Sequence, residues 1–223
     1  MTRTRLCDRI LPSYTKGEEI FNMSSHIIGG ALGVVALVLC LVTSVMHGDV
    51  WAVVSSAIYG SSLILLYTAS SVYHGLRSGM AKKVMQVVDH CTIYFLIAGT
   101  YTPILLCSIR TVASVFAWVL FGIVWGVSAI AAVFTAIDLK KYSKFSMVCY
   151  IGLGWCIVIA AKATYQSVDK IGILLLLLGG IAYTVGAIIY GLGKKHRYMH
   201  SVFHLFVVAG SLLQFFCILF YVI

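Results

Sequence analysis

The stretch RYMHSVFH, Arg197 to His204, sets His200 and His204 four residues apart at the mouth of the uncharged run VFHLFVVAGSLLQFFCILFYVI. On a helix that spacing puts both imidazoles on one face, one turn apart, where they suit two bonds to a single metal ion. His74, at the end of another apolar run, offers a third nitrogen. Three histidines leave the fourth tetrahedral position to water, the pattern of a catalytic zinc site, whereas a structural site is closed by four protein ligands. Asp89 could orient that water or take its proton, or could instead pair with Lys82, Lys83 or a histidine. Ser70, one turn before His74, could donate to a developing oxyanion or bond its own helix backbone. Glu19, Asn22 and His26 follow i, i+3 and i+7, one polar stripe leading into the first apolar run.

Membrane helices must position these groups. Of 223 residues, 61% are hydrophobic and 10% charged, a composition that points to an integral membrane protein. Charge-poor runs of about 20 residues, enough to cross a bilayer core of about 30 Å, recur seven times. They lie at about 26–46, 51–74, 84–107, 112–137, 145–161, 171–192 and 198–223. Runs such as LLLLLGGIAYTVGAIIY lack the alternation of β-barrel strands. The expected fold is therefore all-α: residues 1–25 form an N-terminal segment, and 26–223 one bundle of seven transmembrane helices. The opening MTRTRLCDRILPSYTKGEEI has no apolar core of a signal peptide, which argues against a secreted soluble protein. The seven cysteines are scattered without CxxC spacing and read as packing residues.

A net charge of +9 could suggest nucleic acid, but its distribution suggests a membrane surface and no nucleic-acid partner. Thirteen of the sixteen Lys and Arg sit in the N-terminal segment (Arg3, Arg5, Arg9, Lys16) and in loops two (Arg77, Lys82, Lys83), four (Lys140, Lys141, Lys144) and six (Lys194, Lys195, Arg197). The alternate loops hold Arg110, Lys162 and Lys170. The asymmetry predicts a cytoplasmic N-terminus and an external C-terminus in the cell membrane. It also brings His26, His74, Asp89, His90, His200 and His204 to one depth on the cytoplasmic side, where ionisable groups inside a span mark a functional site. Gly29 with Gly33 and Gly122 with Gly126 are expected to let helices approach closely. Tyr101 and Pro103 in GTYTP read as an interfacial aromatic and a kink, and Lys162 and Asp169 as solvated.

Glu19-x-x-Asn22-x-x-Ser25-His26, Ser70-x-x-x-His74, Asp89 and His200-x-x-x-His204, in this order on seven spans, resemble the hemolysin III family, the bacterial branch of the progestin and adipoQ receptor superfamily. The stretches AGTYTPILL and RYMHSVFHLFVVAGS carry the likeness further. The resemblance implies a seven-helix bundle holding Zn2+ through His74, His200 and His204, with Asp89 on the metal's water. Through its lipid-hydrolase members it implies hydrolysis of a lipid amide or ester, with Ser70 assisting and Glu19, Asn22 and His26 lining the inner mouth. Gln214 departs from the histidine expected in many relatives, away from the proposed ligands. The competing expectation is a non-enzymatic lipid sensor or a pore-forming cytolysin, again with membrane lipids as partners.

Overall fold

The structure, a computed structural model, describes residues 4–193 and 196–223. Arg3, Lys194 and Lys195, counted above among the loop charges, lie outside the described residues. Helix α1 spans Lys16–His47, α2 Val50–Gly75 and α3 Met80–Pro103. A π-helical stretch, Ile104–Ile109, and the short α4, Arg110–Val112, prolong α3. After these come α5 (Ser114–Ile137), α6 (Ser143–Gly154), α7 (Ala161–Ser167), α8 (Lys170–Leu192) and α9 (Met199–Tyr221). Among the described residues six helices, α3 counted with its continuation to Val112, are long and apolar enough to cross a membrane, and α6 with α7 makes a seventh span if that pair, bent by 54°, is counted as one.

Helix α1 begins ten residues before the first apolar run. Thr15 caps it: the Thr15 hydroxyl accepts from Glu18 N–H at 3.2 Å while the Glu18 carboxylate accepts from Thr15 N–H at 2.8 Å. This cap makes the stripe Glu19, Asn22, His26 helical and fixes its direction. Two departures from straight helix have local causes. Pro103 cannot donate to the carbonyl one turn back, and the register beyond it loosens until Arg110 N–H reaches Leu105 O. The break between α6 and α7 exposes backbone groups that lipid cannot satisfy. Tyr101 closes it: its hydroxyl accepts from Ile157 N–H at 2.8 Å and donates to Gly154 O at 3.0 Å. Tyr101 is thus buried in the bundle, not seated at the interface as its sequence context suggested.

The helices close a ring in which α3 is one member. Helix α1 packs on α2, α2 on α3, α3 on α5, α6 on both α5 and α3, α8 on α9, and α9 back on α1. The most apolar part of α3 is 78% buried, against 22–50% for the other long helices, so α3 is the most enclosed of them. Outward faces carry exposed aliphatics such as Val38, Val42, Ile123, Ile130, Leu174 and Ile181. Only a bilayer matches so large an apolar surface.

The two glycine pairs differ. A Cβ on Gly29 would lie 2.4 Å from the Tyr67 ring, and one on Gly33 3.2 Å from the Ile64 backbone, so this pair admits α2 against α1. Around Gly122 and Gly126 nothing lies within 4 Å. That pair faces open space, and the expected close packing there is corrected. Gly29→Ala is therefore expected to cost about 1–3 kcal/mol by overpacking. Gly122→Ala is expected to stay within about 0.5 kcal/mol of wild type. Thermal unfolding of both variants in one detergent checks the contrast.

Candidate metal centre

Three elements converge near the end of the bundle where α1 and α9 begin and α2 ends. His74 comes from the last turn of α2, and His200 and His204 from the first turns of α9. Nε2 of His200 lies 3.3 Å from Nε2 of His74 and 3.0 Å from Nε2 of His204. All three ligand atoms fall within 4.8 Å of one another, and the group is buried apart from half-buried His200. The paired residues of α9 and the distant His74 are brought together as their spacing predicts.

The partners of the outer nitrogens fix what the inner ones can do. His74 Nδ1 lies 2.6 Å from Glu19 Oε2, and a carboxylate only accepts, so Nδ1 carries the proton. His204 Nδ1 faces the Asn22 carbonyl at 3.3 Å and donates likewise. Both Nε2 atoms therefore present lone pairs to His200 Nε2. One proton between them can satisfy a single pair, and the other pair stays repulsive. A cation at the centre relieves both: tetrahedral ligands about 2.1 Å from zinc stand about 3.4 Å apart, close to the spacings here. The donor set fits a metal.

The polar stripe of α1 supports the histidines from behind. Glu19 Oε1 also pairs with Lys82 Nζ at 2.7 Å, and that ammonium donates to Leu76 O at 3.0 Å. One carboxylate thus joins α1, α2 and α3. Lys82, weighed above as a partner of Asp89, is engaged by Glu19 instead. Asn22 is fully buried, and its Oδ1 accepts from the Ser201 hydroxyl at 2.6 Å, tying α1 to α9. His26 stacks on His204 with ring centroids 3.7 Å apart and meets Tyr67 edge-on. The stripe is thus packed against the site, and His26 also lines the cavity there.

Asp89 and Ser70 lie outside the three-nitrogen cluster but line the same cavity. The Ser70 hydroxyl faces the Asp89 carboxyl and makes no well-formed hydrogen bond, so the bond to its own helix backbone is not made. Asp89 Oδ2 is 3.7 Å from His90 Nδ1, but that nitrogen lies closer, 2.8 Å, to Gln86 O. The carboxylate is left facing the cavity. This space, about 180 Å³, runs from the histidines between walls such as Leu66, Ile93, Leu96 and Val207 to Gln214. Ten residues of α9 separate His204 from Gln214, about 15 Å of helix. Gln214, as expected, is remote from the three nitrogens; its amide donates to Leu176 O at 3.0 Å.

Sequence reasoning missed three contributors. Tyr14, just before the α1 cap, stacks on His200 with centroids 5.0 Å apart and planes 18° from parallel. Ser201 holds Asn22. Glu18 is a third tie, for its Oε1 accepts from Tyr198 N–H at 2.7 Å. Tyr198 has φ of 62°, the left-handed region that non-glycine residues avoid, and it leads directly into α9. The carboxylate that caps the first helix therefore also fixes the approach to the last.

The chain is similar to known proteins over most of its length. A family model described as haemolysin-III related matches residues 14–215. The chain is 40% identical over 206 residues to Hemolysin-3 of Bacillus cereus, covering 92% of each chain. It is 39% identical over 208 residues to the Hemolysin-3 homolog of Bacillus subtilis strain 168, covering 93% of this chain and 96% of the other. The human monocyte to macrophage differentiation factor is 25% identical over 183 residues, 78% of this chain and 72% of its own.

Proposed function

We propose that this chain, which belongs to the haemolysin-III-related family and is a multi-pass membrane protein, holds zinc through His74, His200 and His204 and hydrolyses a lipid amide or ester. The single observation that carries the reading is the convergence of three buried Nε2 atoms at one end of a cavity that is apolar along much of its length. The loop charges put that end at the cytoplasmic leaflet. An amphiphile with its acyl chain between Leu66, Leu96 and Val207 brings its carbonyl to the histidines. Bound zinc supplies Lewis acidity there, polarising a carbonyl and bringing the pKa of water near 7.

The residues of the chain do the rest. Asp89, aimed into the cavity, orients the attacking water and takes its proton. The Ser70 hydroxyl, which faces Asp89, turns to donate to the oxyanion that forms on the carbonyl oxygen. Glu19 and Asn22 keep the protons of His74 and His204 on Nδ1, so Nε2 remains a ligand.

The name Hemolysin-3 borne by the Bacillus relatives points to a second reading, a cytolysin. A pore needs polar groups through the full depth of the membrane. Here the polar groups gather near the histidines, and the cavity walls between them and Gln214 are largely aliphatic, which favours the hydrolase.

Asp89→Asn in detergent-purified protein tests the proposal. The variant is expected to keep the wild-type zinc content while turnover of a short-chain ceramide falls about 10²- to 10⁴-fold. Wild-type protein that cleaves neither amide nor ester lipids would leave the sensor reading, and dye release from liposomes by intact protein would favour the pore.

A further inference from the structure

The segment before α1 folds back over the bundle end. Thr4 N–H donates to Asp138 Oδ2 at 2.7 Å just past α5, and Lys83 Nζ, on the first turn of α3, donates to Cys7 O. Just after these ties comes Arg9, only 6% exposed. Its Nε and Nη1 are buried and find no acceptor among the described residues. They stand at a second cavity of about 210 Å³, lined by Thr4, Leu6, Arg9, Val84, Val88 and Ile137.

The nearest acid does not complete Arg9. Asp138 is charged: burial pushes its carboxyl up, but the amides of Lys141, Thr4 and Lys140 outweigh burial and hold it below the usual carboxylate range. Those same amides occupy its oxygens, at 2.7 to 3.1 Å, so it acts on Arg9 through its field without a bond. Arg5 is spent on Asp8 at 2.9 Å. A guanidinium always carries its charge, and its planar fork matches the oxygens of a phosphate. The cavity wall is also informative, because Val84 and Val88 continue onto the exposed face of α3, 42% and 36% exposed. A ligand with a phosphate at Arg9 thus has an apolar path for chains along α3. Basic pockets between helix ends at a membrane surface take such headgroups.

We propose that Arg9 binds a phosphate group at the joint of the N-terminal segment, α3 and α5. Two sources present that group, a phospholipid headgroup and free phosphate. This site is separate from the three histidines and stands or falls independently of the hydrolase reading.

The test uses the full chain in detergent stripped of lipid, with thermal unfolding and native mass spectrometry as readouts. Dioleoyl phosphatidylglycerol is expected to raise the Tm of wild type by several degrees and to remain bound as a one-lipid adduct. Dioleoylglycerol, with the same tails and no phosphate, is expected to do neither. Arg9→Gln is expected to bind phosphatidylglycerol about tenfold more weakly, and Arg9→Lys, which keeps charge without the fork, about threefold. Lys144→Gln, in the first turn of α6, serves as a control expected to match wild type. Inorganic phosphate that reproduces the shift alone would keep the phosphate site and assign it to the free ion. Equal protection by dioleoylglycerol, or an unchanged adduct in Arg9→Gln, would overturn the proposal. The comparison of the two lipids needs wild type only, so poor folding of a variant leaves it decisive.

Discussion

His200→Ala is expected to leave purified protein almost free of zinc where wild type carries about one ion per chain, as measured by elemental analysis. His200 is the central ligand, since its Nε2 lies 3.3 and 3.0 Å from those of His74 and His204. Removing it leaves two nitrogens for an ion that needs at least three protein ligands. The loss should exceed the roughly 10- to 100-fold typical of losing an outer partner. The Tyr14, Tyr190 and Phe203 rings around the imidazole remain. His200→Gln, closer in volume, separates metal loss from collapse of that ring cluster. His47, which follows the uncharged stretch of α1 and lies at its far end, provides the control: His47→Ala should retain full zinc. Stoichiometric metal in His200→Gln would sink the assignment.

The second large effect belongs to Glu19. Glu19→Ala removes the acceptor of His74 Nδ1 and strands Lys82, whose side chain is 5% exposed. Breaking a buried pair from one side costs about 3–5 kcal/mol, and Glu19 is one-fifth exposed, so the lower end applies. Zinc affinity should fall about 10- to 100-fold as well, because His74 loses the bond that fixes its tautomer. The two consequences separate in a double variant. In Glu19→Ala with Lys82→Met the stranded ammonium is gone, so much of the stability returns. The metal affinity stays low, since nothing replaces the carboxylate on Nδ1. Chelator competition and thermal unfolding on the same preparations measure both. If the double variant regained zinc affinity, Glu19 would act through Lys82 and not through His74.

The parts legible in the sequence are those that a periodic pattern expresses. Uninterrupted apolar runs gave the long spans, and i, i+4 spacing joined His200 to His204 before any fold was known. Hydropathy failed where polar residues continue a helix: Glu18, Glu19 and Asn22 hid the first ten residues of α1, although Thr15 and Glu18 carry a recognisable capping box. The break between α6 and α7 was also hidden, because the run through Leu153 and Ile157 stays apolar across it, and the hydroxyl that stabilises it belongs to Tyr101, over fifty residues away. Pairings were hardest. That Lys82 belongs to Glu19 and not to Asp89 depends on the rotation of three helices about their axes, which charge counts do not contain. Tyr14 offered no signal beyond being an aromatic before a helix cap. Gly122 and Gly126 misled because spacing alone does not say whether a face meets a helix or lipid.

The shared carboxylate of Glu18 has a bearing on biogenesis. The ribosome makes Thr15 and Glu18 early and Tyr198, His200 and His204 nearly last. Until α9 emerges, Glu18 Oε1 has no Tyr198 amide to receive, and His74 stands without its two fellow ligands. An arrested chain ending before Met199 therefore has most of its spans but no place for the ion. On the proposed reading, metal uptake would be the molecular signature of a finished chain, joining the last helix to α2.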